Sequence, residues 1–418
     1  MRETRSRWAH LDTAAKIFPC TSGRRDTKVF RFVCELTEPV DPERLQEALE
    51  HTLESFPGFR MVLKRGLFWY YLEESGIVPL VREEYRPPCS QMYDPDVTSL
   101  LFEVTWYDRR INLEVYHAIS DGTGAMHFLR LLVFRYLRLV HPEVLGGLPE
   151  LDYDASEQQS MDDGFEHYAT SASLPKAENR PVAYRLRGTR MPDFTLSVIV
   201  GTAPVKEMLR LSHAHGTSLT VFLAALLIRS IGMQMPARER AKPVTLAVPV
   251  NLRNHFRSAS ARNFFGVMDV TYYFSKGDGS LESIIQSVQR QFKAGLTPTE
   301  MQRRVNQYIK LIRNPFARGT PLPIKDLAMR IGYRANSKKE TSAISNIGIV
   351  KMPPQLAPYI RQFDIFVSTE KVQLCILTYG DRITMGFSSA FVEPEVQKDF
   401  FRALTALGVP IEIDTNLV

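Results

Sequence analysis

The chain has 418 residues, of which 44% are hydrophobic and 23% charged, which is typical of a globular protein with room for two domains. The net charge of +6 is a mild bias for a chain of this length. No run of five like charges occurs and aromatic residues do not alternate with basic ones, so the composition does not indicate a nucleic-acid-binding protein.

The distribution of apolar residues and cysteines indicates where in the cell the protein is located. The longest apolar run, residues 219–228, is about half of the roughly 20 residues that a membrane-spanning helix needs. Residues 1–8 are polar and lack the apolar core of a signal peptide. The four cysteines form no paired motif, which favours reduced thiols. We therefore expect no membrane span and a cytoplasmic location.

Capping and alternation signals predict the elements of the first half. Asp41 and Pro42 open a helix as an N-cap residue followed by proline at the first helical position. Residues 102–108 and 111–117 alternate as the two strands of a hairpin, and helical spacing begins after Gly122. The first half is therefore predicted to mix strands with helices.

An acidic stretch divides the chain. Residues 150–180 hold eight acidic side chains against one lysine and one arginine, which is typical of a crossover loop or linker. We predict an N-terminal subdomain over residues 1–165, a crossover linker over 166–185 and a C-terminal subdomain over 186–418. In the second half the patterns predict helices near 204–213, 218–231, 280–294, 299–313 and 393–407, and strands near 244–250, 267–274, 342–350, 365–368, 373–379 and 382–388.

His117 ends the second hairpin strand, four residues before Asp121 and five before Gly122. It shares the inward face with the apolar residues of the strand, because alternate side chains point the same way. An imidazole held there can have its pKa tuned near neutrality, which makes His117 a candidate general base. A lone histidine on an apolar strand is more often a core residue with one satisfied hydrogen bond, and the strand alone leaves both interpretations open.

Other catalytic motifs are absent or incomplete. Gly122-Thr123-Gly124 hints at a dinucleotide fingerprint, but its next required small residue is His127. Neither a Walker A loop nor a G-x-S-x-G elbow occurs. The histidines have no ligand-like spacing with carboxylates or cysteines, so no metal site is predicted.

Motifs of the second half complete the pattern around His117. A strand ends in PVNLR at residues 249–253, NFFG follows at 263–266, and SNIG stands at 345–348. With His117-x-x-x-Asp121-Gly122, their order and spacing resemble the CoA-dependent acyltransferase superfamily. That superfamily includes chloramphenicol acetyltransferase, the plant HxxxD acyltransferases and peptide-synthetase condensation domains. The opening segment, residues 8–19, is similar to the bacterial alcohol acetyltransferase-like branch.

The resemblance implies a fold and a role for each residue of the first motif. The fold would be α/β, with two chloramphenicol acetyltransferase-like subdomains of mixed sheets arranged as a V around a central tunnel. His117 would be the general base of a reaction without a covalent enzyme intermediate, and Asp121 and Gly122 would support it structurally. The arginine that partners the aspartate in condensation domains corresponds to Arg60. Tyr116 replaces the second histidine of several relatives, which argues against a standard condensation domain.

The resemblance also places the later motifs near the tunnel. Asn263, Phe265 and Gly266 correspond to a structural loop that is not itself catalytic. Ser345 or Asn346 is a candidate donor to the developing oxyanion, and strand alternation lets only one of the two face the tunnel.

The expected activity is transfer of an acyl group, acetyl in the first instance, from CoA to an alcohol hydroxyl or an amine. Acyl-CoA would be a co-substrate, and no tightly bound cofactor is expected. Two alternatives remain: a donor carried on an acyl carrier protein, and a non-catalytic binding module that keeps the fold. Two roles are open for the basic residues in 301–339. A solvated surface is the more common role, and binding of the CoA phosphates is the alternative. These residues are Arg303, Arg304, Lys310, Arg313, Arg318, Lys325, Arg330, Arg334, Lys338 and Lys339.

Overall fold

The computed structural model describes residues 8–151, 162–171, 180–314 and 318–417. Residues 172–179 of the expected linker, and residues 152–161 before it, lie outside the described part. The strands are β1 (Trp8–His10), β2 (Val29–Leu36), β3 (Met61–Arg65), β4 (Tyr70–Glu74), β5 (Arg82–Glu83), β6 (Phe102–Tyr107), β7 (Arg110–Tyr116), β8 (Ser197–Pro204), β9 (Val244–Asn251), β10 (Phe265–Tyr272), β11 (Ser342–Ile349), β12 (Ile360–Val367), β13 (Val372–Tyr379), β14 (Arg382–Ser389) and β15 (Glu412–Thr415). The helices are α1 (Phe18–Thr21), α2 (Pro42–Ser55), α3 (Gly122–Val140), α4 (Pro142–Leu145), α5 (Gly164–Tyr168), α6 (Val205–Ala214), α7 (Leu219–Met233), α8 (Leu281–Gly295), α9 (Pro298–Arg313), α10 (Leu322–Ser337) and α11 (Glu395–Ala406).

The strands form three sheets. A five-stranded sheet has the order β12-β2-β7-β6-β5, a seven-stranded sheet has the order β10-β9-β11-β13-β14-β8-β15, and a small sheet has the order β1-β4-β3. Both large sheets are mixed, because β5 runs parallel to β6 and β11 runs parallel to both of its neighbours. The α/β fold class with mixed sheets is therefore confirmed.

Local signals explain where the main helices begin. The Asp41 carboxylate accepts hydrogen bonds from the backbone N–H groups of Glu43 (3.0 Å) and Arg44 (3.1 Å), as an N-cap residue does. Asp121 caps α3 in the same way, and the Ser218 hydroxyl caps α7. The N-cap role of Asp121 holds the start of α3 directly behind the strand end that carries His117.

Each large sheet has its own apolar core. Helices α2 and α3 pack with the inner strands β2 and β7, and α7, α8 and α11 pack with the seven-stranded sheet. In α7, 11 of 15 residues are buried, which explains its continuous apolar run. Within the described ranges no single helix is long and apolar enough to cross a membrane, although α6 and α7 meet that criterion as a pair bent by 79°.

Strand β12 crosses the expected subdomain division. It belongs by sequence to residues 186–418, yet it pairs antiparallel with β2, with Phe363 opposite Cys34, and so completes the five-stranded sheet of the first half. Its residues are buried from Gln362 to Phe366, so the strand gains burial on both faces as well as its ladder of hydrogen bonds. A boundary drawn along the chain cannot represent this exchange.

Helix α10 is an element that the sequence patterns did not predict. Its buried residues include Leu322 and Lys325, whereas Ile324, Leu327 and Ile331 are exposed on its outer side. Apolar residues on both sides blur the single stripe by which an amphipathic helix is recognised. The helix packs against α1 and contacts the small sheet, beside the region where the two halves meet.

Candidate active site

His117 follows the last residue of β7, where the alternation predicted it. Its backbone N–H donates to the carbonyl of Lys28 (2.9 Å), which fixes the strand end. The half-buried imidazole stacks on Phe18 (ring centroids 4.8 Å apart) and lies against Phe30 (4.7 Å) and Phe265 (5.9 Å). The three rings hold the plane of the imidazole and exclude water from its faces.

Asn263 sets the tautomer of His117. The Asn263 amide nitrogen donates to the His117 carbonyl (2.9 Å) and to Asp12 Oδ2 (3.0 Å), so the amide oxygen is the atom that faces His117 Nδ1, at 3.2 Å. An amide oxygen only accepts, so this network assigns the proton to Nδ1. Nε2 is then left with a free lone pair, as a general base requires.

The charge state of His117 favours the same role. Burial disfavours the imidazolium and lowers the pKa of His117 below its ordinary value of 6.5, although the Asn263 hydrogen bond and the Asp121 charge act in the opposite direction. The imidazole is therefore neutral at pH 7 and able to accept a proton.

Asp121 is a structural residue that joins the two halves. Its Oδ1 accepts from the backbone N–H groups of Thr123 (3.1 Å) and Gly124 (3.0 Å), and its Oδ2 accepts from Phe264 N–H (2.9 Å). The same Oδ2 accepts from Arg253 Nη1 at 2.7 Å, in an ion pair whose side chains are about a tenth exposed or less. Its carboxylate is thus occupied by backbone and arginine donors.

The expected pairing of Asp121 with Arg60 is wrong. Arg60 ends a short turn that leads into β3, and its carbonyl accepts from Ser75 N–H, within the first half. The partner is Arg253, the last residue of the PVNLR motif. Its guanidinium also donates to the Ser260 carbonyl (2.8 and 3.0 Å) and to the Arg262 carbonyl. Arg253 thereby ties α3 to the loop that carries Asn263.

That loop approaches the first turn of α3 closely, and a glycine makes the approach possible. A Cβ at Gly124 would overlap the carbonyl oxygen of Ala261 and the hydroxyl of Ser120. Ser120 itself donates to the Ala261 carbonyl (2.6 Å). A Cβ at Gly122 would lie 3.1 Å from Ile347 Cδ1, a flexible side-chain end. The steric requirement is therefore strict at Gly124 and mild at the motif glycine.

Asp12 is a site residue that the motif analysis did not single out. Its fully buried carboxylate accepts from the Asn263 backbone N–H (3.2 Å) and side chain, and from Ala15 N–H (2.7 Å). Burial raises the pKa of Asp12 to about 6, although nearby Arg262 opposes the shift. Asp12 orients Asn263, which in turn orients His117, and the aspartate lies in the opening segment of the chain, where only the family resemblance marked it.

The remaining candidate residues lie on two strands: Gly266 on β10, and Ser345 and Asn346 on opposite faces of β11. A Cβ at Gly266 would meet Arg304 Cδ at 2.9 Å, so this glycine admits the buried arginine. Asn346 Nδ2 donates to the Thr220 hydroxyl (2.8 Å) at the start of α7, so its exposed side chain points toward that helix. Alternation places Ser345 on the other face.

A cavity of about 660 Å³, which we call the basic cavity, lies between residues 20–26 and α10. In its wall Asp26 pairs with Lys28 Nζ (2.5 Å), and the Lys28 carbonyl accepts from the His117 N–H, so two residue contacts connect the cavity wall to the strand end that carries His117. Of the ten basic residues for which CoA-phosphate binding was the second hypothesis, three line it, whereas Arg304 and Lys325 are buried elsewhere. Eight basic side chains face three acidic ones (Asp26, Glu340 and Glu370) in its lining: Arg24, Arg25, Arg185, Arg190, Arg330, Arg334, Lys338 and Lys371.

Comparisons with known proteins identify solved structures that have a similar fold. The sequence matches no protein-family model and no curated protein. TRI101 from Fusarium sporotrichioides, crystallised with coenzyme A and T-2, is similar with a TM-score of 0.67 at 11% identity, over 97% of this chain and 100% of that one. The first condensation domain of the calcium-dependent antibiotic synthetase gives 0.64 at 14% identity, over 97% and 99%. Polyketide synthase associated protein 5 from Mycobacterium tuberculosis gives 0.60 at 13% identity, over 96% and 98%.

The chain therefore has the two-subdomain fold of chloramphenicol acetyltransferase-like enzymes and condensation domains, as its motifs implied. At 11–14% identity these likenesses establish the fold alone. Within the described ranges no group of three or more histidine, cysteine or carboxylate side chains is arranged to hold a metal ion.

Proposed function

We propose that this protein is an acyltransferase that moves an acyl group, acetyl in the first instance, from a CoA thioester to an alcohol hydroxyl or an amine. The observation that carries the proposal is the hydrogen bond between His117 Nδ1 and Asn263 Oδ1, which leaves Nε2 as a neutral base. The fold supports it, because TRI101 has the same architecture and was crystallised with coenzyme A.

The proposed reaction needs one proton to move twice. His117 Nε2 takes the proton of the acceptor hydroxyl as its oxygen attacks the thioester carbonyl. The tetrahedral intermediate collapses, the C–S bond breaks, and the thiolate of CoA takes the proton back from Nε2. The products are an ester and free CoA, and the enzyme is unchanged. Ser345 is the proposed donor to the intermediate's oxyanion, because Asn346 faces α7.

The basic cavity is the proposed site for the phosphates of CoA. Guanidinium groups bind phosphates through charge-assisted hydrogen bonds, and Arg24, Arg185 and Arg330 line the cavity. Added salt screens such contacts, so the KM for acyl-CoA should rise with ionic strength. A KM that does not change with salt would exclude this placement of the donor.

A carrier-protein thioester is the second candidate donor, favoured by the likeness to a condensation domain. The two donors differ in the adenosine and 3′-phosphate of CoA. The same acyl group presented on CoA and on a phosphopantetheinylated carrier protein would distinguish them. We expect faster turnover with acyl-CoA, since a carrier phosphodiester brings fewer charges to the basic cavity.

The test of activity is a panel of acyl-CoAs and alcohols in which free-thiol release is followed and the ester is identified by mass spectrometry. We expect thiol release that depends on the acceptor and is lost in His117→Ala. Thiol release without acceptor dependence would indicate hydrolysis. No turnover with any CoA or carrier donor would favour a binding module that keeps the fold.

A further inference from the structure

The outer side of α10 carries an apolar stripe that no described residue covers. Successive helical residues are about 100° apart, so Ile324, Leu327 and Ile331 fall within about 60° of one another. They are 61%, 60% and 60% exposed. The packed face, marked by buried Leu322 and Lys325, lies on the opposite side of the helix. A helix that already buries one face gains nothing in stability from a second apolar face turned to water.

A neighbouring loop at the start of α10 also exposes apolar side chains. Leu67 is 72% and Phe68 40% exposed. The Leu67 carbonyl accepts from Leu322 N–H (2.9 Å), and the Phe68 carbonyl accepts from Lys325 Nζ (2.8 Å), so the loop is fixed against the start of α10. We call the three exposed apolar residues of α10 the outer patch: Ile324, Leu327 and Ile331.

The exposed charged side chains of α10 are positive. Arg330, Arg334 and Lys338 follow along the same helix end and line the basic cavity beside it. The one acidic residue of α10, Asp326, is turned inward and accepts from the Tyr70 hydroxyl (2.7 Å). An apolar stripe with cations beside it is the arrangement of helices that lie in the interface of an anionic bilayer.

We propose that the outer patch docks this protein on an anionic lipid surface, with Ile324, Leu327 and Ile331 inserted among the acyl chains and Arg334 at the headgroups, while Arg330 stays in the wall of the basic cavity, where its Nε donates to the Cys20 carbonyl (2.6 Å). A symmetric contact with a second copy would place Arg334 close to the same arginine of that copy, and like charges repel. The net charge of +6 on each chain adds to the repulsion. An anionic surface removes that repulsion. The basic cavity, next to the patch, then opens close to the membrane.

Vesicle flotation tests this docking with the full chain. We expect binding to vesicles of equal parts phosphatidylcholine and phosphatidylglycerol to exceed binding to pure phosphatidylcholine by about tenfold or more, and to weaken with added salt. Ile324→Ser, Leu327→Ser and Ile331→Ser combined should lower binding by at least about tenfold, because the inserted apolar area is lost.

The matched control replaces three apolar residues exposed elsewhere, through Val144→Ser, Met233→Ser and Ile413→Ser, and should bind as the wild type does. Thermal melting confirms that both variants fold, and neither changes a residue of the proposed active site. Equal wild-type binding to both vesicles, or equal binding by the outer-patch variant, would overturn the proposal. So would a wild-type dimer in sedimentation velocity that the outer-patch variant abolishes, since the second copy would then be the occupant.

Discussion

At the scale of single residues, the site depends on how His117 is oriented. The strand pattern was sufficient to place His117, because alternation and the following Asp-Gly are local features. The roles of Asn263 and Asp12 could not be derived, since they arise from contacts between residues 146 and 251 positions apart in the chain. An asparagine in a loop has no local signal that distinguishes a tautomer-setting role from a turn.

Asn263→Ala tests the tautomer assignment. The variant removes the acceptor at Nδ1, so both tautomers of His117 become populated, and we expect kcat to fall by about 10- to 100-fold, less than loss of the base itself. The Asn263 hydrogen bond raises the pKa of His117, so its loss should also move the acid limb of the pH profile to lower pH. A lower kcat with an unmoved limb would indicate a merely structural loop.

At the scale of elements, one ion pair joins α3 to the loop between β9 and β10. The sequence motifs identified Asp121 as a scaffold but assigned it the wrong arginine. That assignment carried a relative's position onto Arg60, whereas the contact depends on how the PVNLR strand end turns back over α3. Such a turn depends on the packing of the two halves, which motif spacing does not report.

Arg253→Ala should therefore destabilise the protein, and Arg60→Ala should not. Removing Arg253 leaves the Asp121 carboxylate buried without its cation, at a cost of about 3–5 kcal/mol in the free energy of unfolding. Arg60→Ala should cost about 1 kcal/mol or less. Urea unfolding measures both, and equal losses would restore Arg60 as a partner of the motif.

Two glycines of α3 offer a steric comparison. Gly124→Ala pushes a methyl group into the Ala261 carbonyl, and rigid backbone cannot yield cheaply, so we expect a loss of about 3 kcal/mol. Gly122→Ala meets only the end of Ile347 and should change stability by about 1 kcal/mol or less. Thermal melts of the two variants decide the matter, and the reverse order would refute the close approach of the loop.

At the scale of the whole molecule, the halves share strand β12. Most helices and strands of the second half were predicted within a few residues, because their periodicity is local. The pairing of β12 with the sheet of the first half was not predicted. The hydrophobic pattern of a strand indicates that it is buried, but it does not indicate which strand it pairs with. This pairing buries Asp364 on the edge strand of the five-stranded sheet, where it is 6% exposed.

Asp364 makes stability depend on pH. Burial raises the pKa of Asp364 to about 7, with Glu35 and Asp414 adding to the shift. Between pH 4 and 7 the unfolded chain releases this proton and the folded chain retains it, so its contribution to stability falls as pH rises. Asp364→Asn should raise the free energy of unfolding at pH 8 by up to about 4 kcal/mol and do little at pH 4. Melting curves of both proteins across this range measure the difference, and a constant gap would contradict it.

The most direct test of the central claim is to measure kcat/KM as a function of pH for the wild type and for His117→Ala. The assay follows thiol release from acetyl-CoA in the presence of an alcohol that the wild type acetylates. If neutral His117 is the base, wild-type activity stays level at neutral pH and falls only below pH 6.5, because burial lowers the pKa of His117. His117→Ala should lose about 10²–10⁴-fold with an unchanged melting temperature. A folded His117→Ala variant that turns over at the wild-type rate would contradict the account.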